Sequence, residues 1–133
     1  MYYPKEKCDF SGNLILAVPS EGCLGQRVVD KILEHELSFG HVGTFDHDIL
    51  QPMVGFIKNG RIVTSMELYW SDALKVGIIQ LRSPPFNKET FCDVFQNWFT
   101  QSGITNLYEK FILIFFEIEC NINSNRRFFY SGE

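Results

Sequence analysis

An uncharged, branched run, NLILAV at residues 13–18, is followed after a short turn by an amphipathic helical pattern. Pro19 ends the run, and Gly22 and Gly25 allow a sharp turn around the start of the helix at Leu24. A run of this kind is typical of a strand that is covered on both faces of a sheet. The stretch therefore predicts a strand, a tight turn and a helix in succession, as in α/β folds.

The predicted first helix has an apolar stripe and ends near Gly40. The stripe consists of Leu24, Val28, Val29, Ile32, Leu33 and Leu37. Residues 41–57 contain two glycines and a proline, which predict a short strand followed by a shaped loop.

Two further strands are predicted from RIVTSMELYW at 61–70 and LKVGIIQLR at 74–82. In the first segment, the side chains that would point to one face are mostly apolar and alternate with those of the other face along the whole length. We therefore expect one face of this strand to point inward. The connection at Ser71 and Asp72 is too short for a parallel crossover, so the two strands should pair antiparallel.

A second helix is predicted after Asn87, which can cap it, and Gly103 can close it. Its apolar stripe is Phe91, Phe95, Trp98 and Phe99. A last strand is expected from about Ile104. The order of elements predicts an α/β fold, a mixed β-sheet flanked by helices.

Residues 1–110 are predicted to form one domain, with 111–133 a divergent strand and polar tail. The apolar run FILIFF at 111–116 is followed by an asparagine-rich segment without a usable periodicity. We therefore expect the sheet to be incomplete at its carboxyl-terminal side.

Composition narrows the possible partners. The 133 residues carry 12 Lys and Arg against 16 Asp and Glu, a net charge of -4, with no basic stripe. This balance disfavours nucleic acid. The longest apolar run is far shorter than the roughly 20 residues that span a bilayer, so no membrane is expected. Without an apolar leader, an intracellular location with four reduced cysteines is expected.

The turn from Gly22 to Gly25 lies at a strand-to-helix junction, where backbone N–H groups and the helix dipole favour an anion. It lacks the lysine and hydroxyl of a P-loop and the third glycine of a dinucleotide fingerprint, and Glu21 disfavours an anion. The pattern favours a tight structural corner over a phosphate cradle.

Two other candidate sites are equally weak. Asp46, His47 and Asp48 could ligate a metal, but no further His or Cys lies at a suitable spacing, so a polar turn is favoured. Ser20 and Cys23 have no identifiable base in the sequence and no nucleophile elbow. We therefore expect no enzyme, no cofactor and no metal.

Three blocks of residues follow one another in order along the chain. The first block is Ser20, Gly22, Gly25, Gln26 and, after three further residues, Asp30. The second, in VGTFDHDILQPMVG, is Gly43, Phe45, Asp48, Leu50, Pro52, Met53, Val54 and Gly55. The third, in QLRSPPFNKETFCDVFQNWFTQSG, is Gln80, Leu81, Arg82, Ser83, Phe91, Cys92, Trp98, Ser102 and Gly103. Together the three blocks resemble the proteasome assembly chaperone 2 family.

The resemblance implies a fold similar to the nucleoside phosphorylases without enzymatic activity, and a structural or interface role for the motif positions. It implies a heterodimer with proteasome assembly chaperone 1, acting in the cytoplasm and nucleus. The heterodimer would bind proteasome α subunits and promote α-ring formation of the 20S core particle.

The chain departs from the family after about Glu109 and is shorter than its members. Family tails of hydrophobic-Tyr-any type dock on the α ring, whereas this chain ends Ser131-Gly132-Glu133, so that mode is not carried over. Two alternatives stay open. One is a small-molecule or nucleotide-binding phosphorylase-like protein that uses the Gly22 to Gly25 turn; the other is a truncated chain without independent function.

Overall fold

The computed structural model describes residues 2–5, 10–17, 22, 24–56, 60–104 and 106–108. Within these residues the chain forms two helices and eight strands. In chain order they are β1 (Tyr2–Pro4), β2 (Asn13–Ala17), α1 (Leu24–His35), β3 (Gly40–Phe45), β4 (Val54–Phe56), β5 (Ile62–Thr64), β6 (Met66–Ser71), β7 (Val76–Leu81), α2 (Lys88–Ser102) and β8 (Asn106–Tyr108). The predicted tail at 111–133 lies outside the described residues.

Six strands form one sheet in the order β1-β3-β6-β7-β2-β8, and β4 and β5 form a separate hairpin. Strand β2 pairs in parallel with β7 on one side and β8 on the other. The remaining pairs are antiparallel, including the predicted hairpin of β6 and β7. The mixed α/β fold is therefore confirmed.

Strand β2 sends its side chains into two apolar clusters. Leu14 and Leu16 belong to the larger cluster, which contains the buried aromatic residues of α2. Ala17 belongs to the smaller cluster, together with Val29 of α1 and Ile78 of β7. Both sides of the strand are covered, as the uncharged run predicts.

Helix α1 lies on the sheet by a narrower stripe than predicted. Gly25 and Val29, one helical turn apart, are its buried residues, and the predicted stripe residues Ile32 and Leu33 pack against the smaller cluster. Leu24 and Leu37 are exposed, so the predicted stripe is wrong at both ends. Leu37 follows the end of the helix and cannot share its face.

Helix α2 begins and ends where the sequence predicts. The Asn87 side chain accepts a hydrogen bond from the backbone N–H of Thr90, and Gly103 takes a left-handed conformation with φ of 81°. Phe91, Phe95 and Phe99 are buried against the sheet. Trp98 is half-buried. Its ring packs against four other aromatic rings, those of Tyr2, Phe10, Phe45 and Phe95.

The alternating stretch at 61–70 is not one strand, which corrects the sequence prediction. It bends at Ser65, which separates β5 from β6. The Ser65 hydroxyl donates to the carbonyl of Gln51 in a distant loop. Every residue of β6 is buried, polar ones included, because both faces of this strand are covered.

One cysteine also departs from expectation. Cys92 of α2 is disulfide-bonded, so the prediction of four reduced thiols is wrong at this position. Spacing along the chain carries no information about cysteines that the fold brings together. Among the described residues, no helix is long and apolar enough to cross a membrane.

Gly77 provides a test of the packing between β7 and β6. A Cβ atom added there would lie 2.7 Å from Cε3 of Trp70 and 3.0 Å from Cδ1 of Leu14. Because both neighbours are buried, we expect Gly77→Ala to lower the free energy of unfolding by about 1–3 kcal/mol, measured by urea denaturation.

The matched control is Gly55→Ala, whose added Cβ would make only ordinary contacts of 3.5 Å with Met53 and Val63. Its unfolding midpoint should stay close to that of the wild type. Equal midpoints for the two variants would contradict the tight packing at Gly77.

Candidate functional site

The motif residues gather at one end of the sheet. Strands β2 and β7 are parallel, with Ala17 opposite Gln80, so the segments that follow them leave from the same edge. The start of β6 lies at that edge too, since Met66 pairs with Leu81. In α/β sheets the carboxyl ends of the strands are where sites are usually built.

Two glutamines tie α1 to β7 in a reciprocal arrangement, which we call the clasp. The Gln80 amide donates to the backbone carbonyl of Gln26 and to the Asp30 carboxylate, both at 3.1 Å. The Gln26 amide donates back to the carbonyls of Leu81 and Arg82, at 3.1 Å and 3.0 Å. The clasp thus brings together four predicted site positions: Gln26, Asp30, Gln80 and Arg82.

The side chain of Arg82 leads from the clasp to a buried carboxylate. Its Nη1 donates to Glu67 Oε2 at 2.9 Å and to the carbonyl of Thr64 at 3.0 Å. Its Nη2 donates to the hydroxyl of Tyr69 at 3.3 Å. One guanidinium therefore contacts the end of β5 and two neighbouring positions of one face of β6.

Glu67 is the centre of a polar group that we call the Glu67 cluster: Glu67, Tyr69, Arg61, Arg82 and His41. Glu67 is only 2% exposed and accepts a hydrogen bond of 2.7 Å from the Tyr69 hydroxyl. Arg61 lies 3.4 Å from the carboxylate and stacks over the Tyr69 ring at 5.3 Å. His41 Nε2 lies 3.7 Å from Glu67 Oε1.

The electrostatics of the cluster keep Glu67 ionised. Burial alone would raise its pKa, but the hydrogen bond from Tyr69 and the charges of Arg82, Arg61 and His41 outweigh burial, so the pKa is lowered. A carboxylate with a lowered pKa is a poor general base near neutral pH. The arrangement therefore suits a structural tie better than proton transfer.

The other two titratable groups shift in opposite directions. Burial is the largest influence on His41 and lowers its pKa, although the Glu67 charge opposes this. Burial also raises the pKa of Tyr69, and its hydrogen bond to Glu67 acts in the same direction. At neutral pH these shifts favour an uncharged imidazole and an uncharged phenol beside the charged carboxylate.

The second motif block is held at the same end through its backbone. The carbonyl of Gln51 accepts hydrogen bonds from the hydroxyls of Ser65 and Ser83. The N–H of Phe86 donates to the carbonyl of Ile49 at 2.8 Å. The predicted positions Asp48 and Pro52 are exposed in this loop.

The predicted glycines play different parts. Gly43 of β3 leaves no room for a Cβ because the ring of Tyr2 lies against it. Gly22 has φ of 72°, which favours glycine, and Gly25 is buried in the first turn of α1. Gly55 lies in β4 without such a constraint, and Ser20 lies outside the described residues.

Among the weaker candidate sites, the polar loop at residues 46–48 is the one that the structure describes in full. The Nδ1 atom of His47 accepts a hydrogen bond from the N–H of Ile49, which is a local turn contact. Across the residues placed by the structure, no group of three or more His, Cys, Asp or Glu side chains could hold a metal. The ligand-binding role of the Gly22 to Gly25 turn stays a prediction, because residues 18–21 and 23 lie outside the described part.

Sequence reasoning missed most of the Glu67 cluster. It included Arg82 only as a motif position, and it gave no role to Arg61, Tyr69 or His41. One signal was available: Glu67 and Arg82 are charges of opposite sign on two strands predicted to form a hairpin. Cross-strand charges of opposite sign are a recognised pairing preference, although they do not reveal burial.

Comparison with protein families gives one match, the PAC2 family, over residues 14–108. No match was found among curated proteins. Several solved structures share the fold, and three of them are described below.

A Thermoplasma acidophilum protein of unknown function aligns with a TM-score of 0.63 and 13% identity, covering 74% of this chain and 41% of that one. Pyrococcus furiosus PbaA, described as an archaeal homolog of proteasome-assembly chaperone, aligns with a TM-score of 0.61 and 16% identity, covering 82% and 47%. Pyrococcus furiosus PbaB, described as an archaeal proteasome activator, aligns with a TM-score of 0.59 and 16% identity, and the alignment covers 82% of this chain and 49% of PbaB. The chain spans less than half the length of each of these structures.

The clasp can be tested by Gln26→Ala. This substitution removes two hydrogen bonds to carbonyls at the end of β7. We expect the free energy of unfolding to fall by about 1–3 kcal/mol, measured by chemical denaturation. The control is Arg27→Ala, which alters the exposed neighbour on the same helix. A clasp without structural value would give the two variants the same midpoint.

The Glu67 cluster predicts a stability that falls in acid. The folded pKa of His41 lies below its ordinary value of 6.5, so the unfolded chain takes up this proton first as the pH falls. The contribution to stability is therefore present above about pH 6.5 and is lost as the pH drops toward the folded pKa. Glu67 adds a second loss below its ordinary value of 4.5.

Denaturation at about pH 7.5 and about pH 5.5 isolates the histidine, because carboxylate titration lies lower. We expect His41→Gln to narrow the difference in unfolding free energy between the two pH values. The matched control is His35→Gln, at an exposed histidine of α1 outside the Glu67 cluster. An unchanged difference in His41→Gln would remove His41 as its source.

Proposed function

The chain belongs to the PAC2 family, and from this premise we propose that it is a noncatalytic chaperone of 20S proteasome assembly. The observation that carries the proposal is the family match over residues 14–108, most of the 133-residue chain. The likeness of the fold to PbaA, whose description names a proteasome-assembly chaperone, supports the same direction.

In its finer form, the proposal gives the chain a partner and a target. It would pair with proteasome assembly chaperone 1 in the cytoplasm and nucleus. The heterodimer would hold α subunits in the arrangement of the α ring. Holding requires a surface that is complementary to one arrangement and unfavourable to others, and it requires no bond-making chemistry.

The geometry of the motif supports holding over catalysis. The polar side chains of Gln26, Gln80 and Arg82 all bond to groups within the chain, and most of their partners are backbone carbonyls or Glu67. Side chains used in this way fix the shape of the fold. A fixed shape is what a protein needs when its activity is to present a surface.

The proposal is tested with purified components from the same source. The chain, proteasome assembly chaperone 1 and α subunits are mixed singly and together, then resolved by size-exclusion chromatography and native mass spectrometry. We expect the chain and chaperone 1 to co-elute, and α rings to form in higher yield when both are present. The gain should need no added nucleotide.

A thermal-shift series with phosphate, nucleosides and nucleotides serves as the counter-test. A ligand at 100 times its dissociation constant adds about 2.7 kcal/mol to folded stability. Such a shift, with no association of the chain with chaperone 1 or α subunits, would replace the proposed function with ligand binding.

A further inference from the structure

The two oxygen atoms of the Glu67 carboxylate are held differently. Oε2 accepts hydrogen bonds of 2.7 Å from the Tyr69 hydroxyl and 2.9 Å from Nη1 of Arg82. Oε1 has two longer contacts, one of 3.5 Å with Nη1 of Arg61 and one of 3.7 Å with Nε2 of His41. Arginine stays charged at any ordinary pH, whereas histidine gains its charge only in mild acid. The same oxygen therefore faces one permanent cation and one conditional cation.

Arg61 is the more loosely held of the two arginines. Its side chain is 30% exposed and its contacts with the carboxylate are 3.4 Å and 3.5 Å, whereas Arg82 is 10% exposed and lies at 2.9 Å. Charge-assisted hydrogen bonds are usually about 2.7–2.9 Å long, so the Arg61 contacts are the weaker ones. Arg61 also donates to the Tyr69 hydroxyl and stacks over the Tyr69 ring. Of the two guanidiniums, that of Arg61 can reach water with less rearrangement.

The β4–β5 hairpin is small and depends on contacts with the rest of the domain. Its strands pair only with one another within the described part of the chain. Val63 is buried on the inward face, whereas Val54 and Ile62 are exposed on the outward face. A two-stranded hairpin is marginally stable in water. Its position is therefore set by the groups that tie it to the main sheet.

The two arginines hold opposite ends of this hairpin. Arg61 directly precedes β5, so it lies at the end where the two strands are connected along the chain. Arg82 donates at 3.0 Å to the carbonyl of Thr64, the last residue of β5, at the open end. Both arginines contact the same carboxylate. A change at Glu67 that affects only Arg61 would therefore release one end of the hairpin and not the other.

Protonation of His41 crowds positive charge around one buried carboxylate. With a neutral imidazole, two guanidiniums face one carboxylate, which leaves one net positive charge. A charged imidazole adds another. Burial lowers the pKa of His41, Glu67 opposes this, and the charges of Arg61 and Lys5 act with burial. The Tyr69 ring, 5.6 Å from the imidazole, carries no charge that could offset them, because burial raises the pKa of its phenol.

We propose that protonation of His41 displaces Arg61 from Glu67 and so frees the connected end of the hairpin, while Arg82 keeps the open end in place. The imidazolium needs to move about 1 Å to turn its 3.7 Å contact with Oε1 into a hydrogen bond. Glu67 then stays paired, and the displaced guanidinium becomes hydrated. The hairpin is held at both ends near neutral pH and at one end in mild acid. The inference goes beyond the proposed function, since no partner takes part in it.

The first test is hydrogen exchange of the whole chain at about pH 7.5 and about pH 5.5, with protection factors corrected for the intrinsic effect of pH. We expect the amides of residues 54–56 and 62–64 to lose protection about fivefold or more at the lower pH, as for ordinary coupling between two sites. The amides of β2 and β7 serve as the internal control and should lose less than the hairpin.

Three substitutions separate the parts of the switch. His41→Gln should give the hairpin the same protection at both pH values. Arg61→Gln should leave the hairpin less protected at both, with no further loss in acid. Because binding effects are reciprocal, Arg61→Gln should also raise the pKa of His41, followed by the NMR signals of the imidazole. The matched control is Lys5→Gln, which removes another positive neighbour of His41 but should leave the hairpin protected as in the wild type at about pH 7.5.

The outcomes decide the proposal. An equal loss of protection in the hairpin, β2 and β7 would show that acid unfolds the whole domain, and the switch would be wrong. A wild type without any loss in the hairpin would overturn it too, as would His41→Gln with the wild-type loss. If His41→Gln does not fold, Arg61→Gln decides, because a hairpin that still opens in acid without Arg61 contradicts the displacement. None of these results bears on the proposed function.

Discussion

A buried negative charge organises this end of the molecule. Glu67 is almost fully buried in a central strand, and an isolated carboxylate in such a place would be protonated or would unfold its surroundings. Its ionised form is kept by the phenol of Tyr69 on the same strand and by the guanidiniums of Arg61 and Arg82, which come from other parts of the chain. Removing one partner of a buried ion pair generally lowers the free energy of unfolding by about 3–5 kcal/mol. The segments that carry these partners must therefore fold together.

The consequence is a continuous polar connection across the sheet. Arg82 belongs to both the clasp and the Glu67 cluster, so α1, β7, β6 and the base of β5 are joined through one residue. Replacing buried charges by apolar groups is often neutral for stability, so such a connection adds specificity of arrangement more than free energy. The side chains at the motif positions 26, 30, 80 and 82 all take part in this arrangement.

Local patterns predicted the elements well, and distant contacts were where they failed. Asn87 and Gly103 mark the ends of α2 because capping depends only on nearby backbone groups. The bend at Ser65 was missed because local alternation gives no sign of the contact that Ser65 makes with Gln51, fourteen residues away. The exposure of Leu24 was missed because apolar periodicity shows which face of a helix is apolar. It does not show how much of that face the sheet covers. In the site, the family resemblance pointed to the clasp residues. The burial of Glu67 could not be predicted, because it depends on the segments that cover both faces of β6.

The polar connection also fixes the position of a short element at the surface of the domain. Association costs rotational and translational freedom in any case, and a mobile contact element adds the cost of being ordered. Strands β4 and β5 have only three residues each and pair only with one another within the described part of the chain. By themselves they would therefore lose conformational entropy when a contact orders them. Arg61 and Arg82 attach β5 to a carboxylate that cannot leave the interior, so the hairpin is ordered by folding and not by binding. A charge buried in the sheet thereby determines the position of an apolar face on the surface.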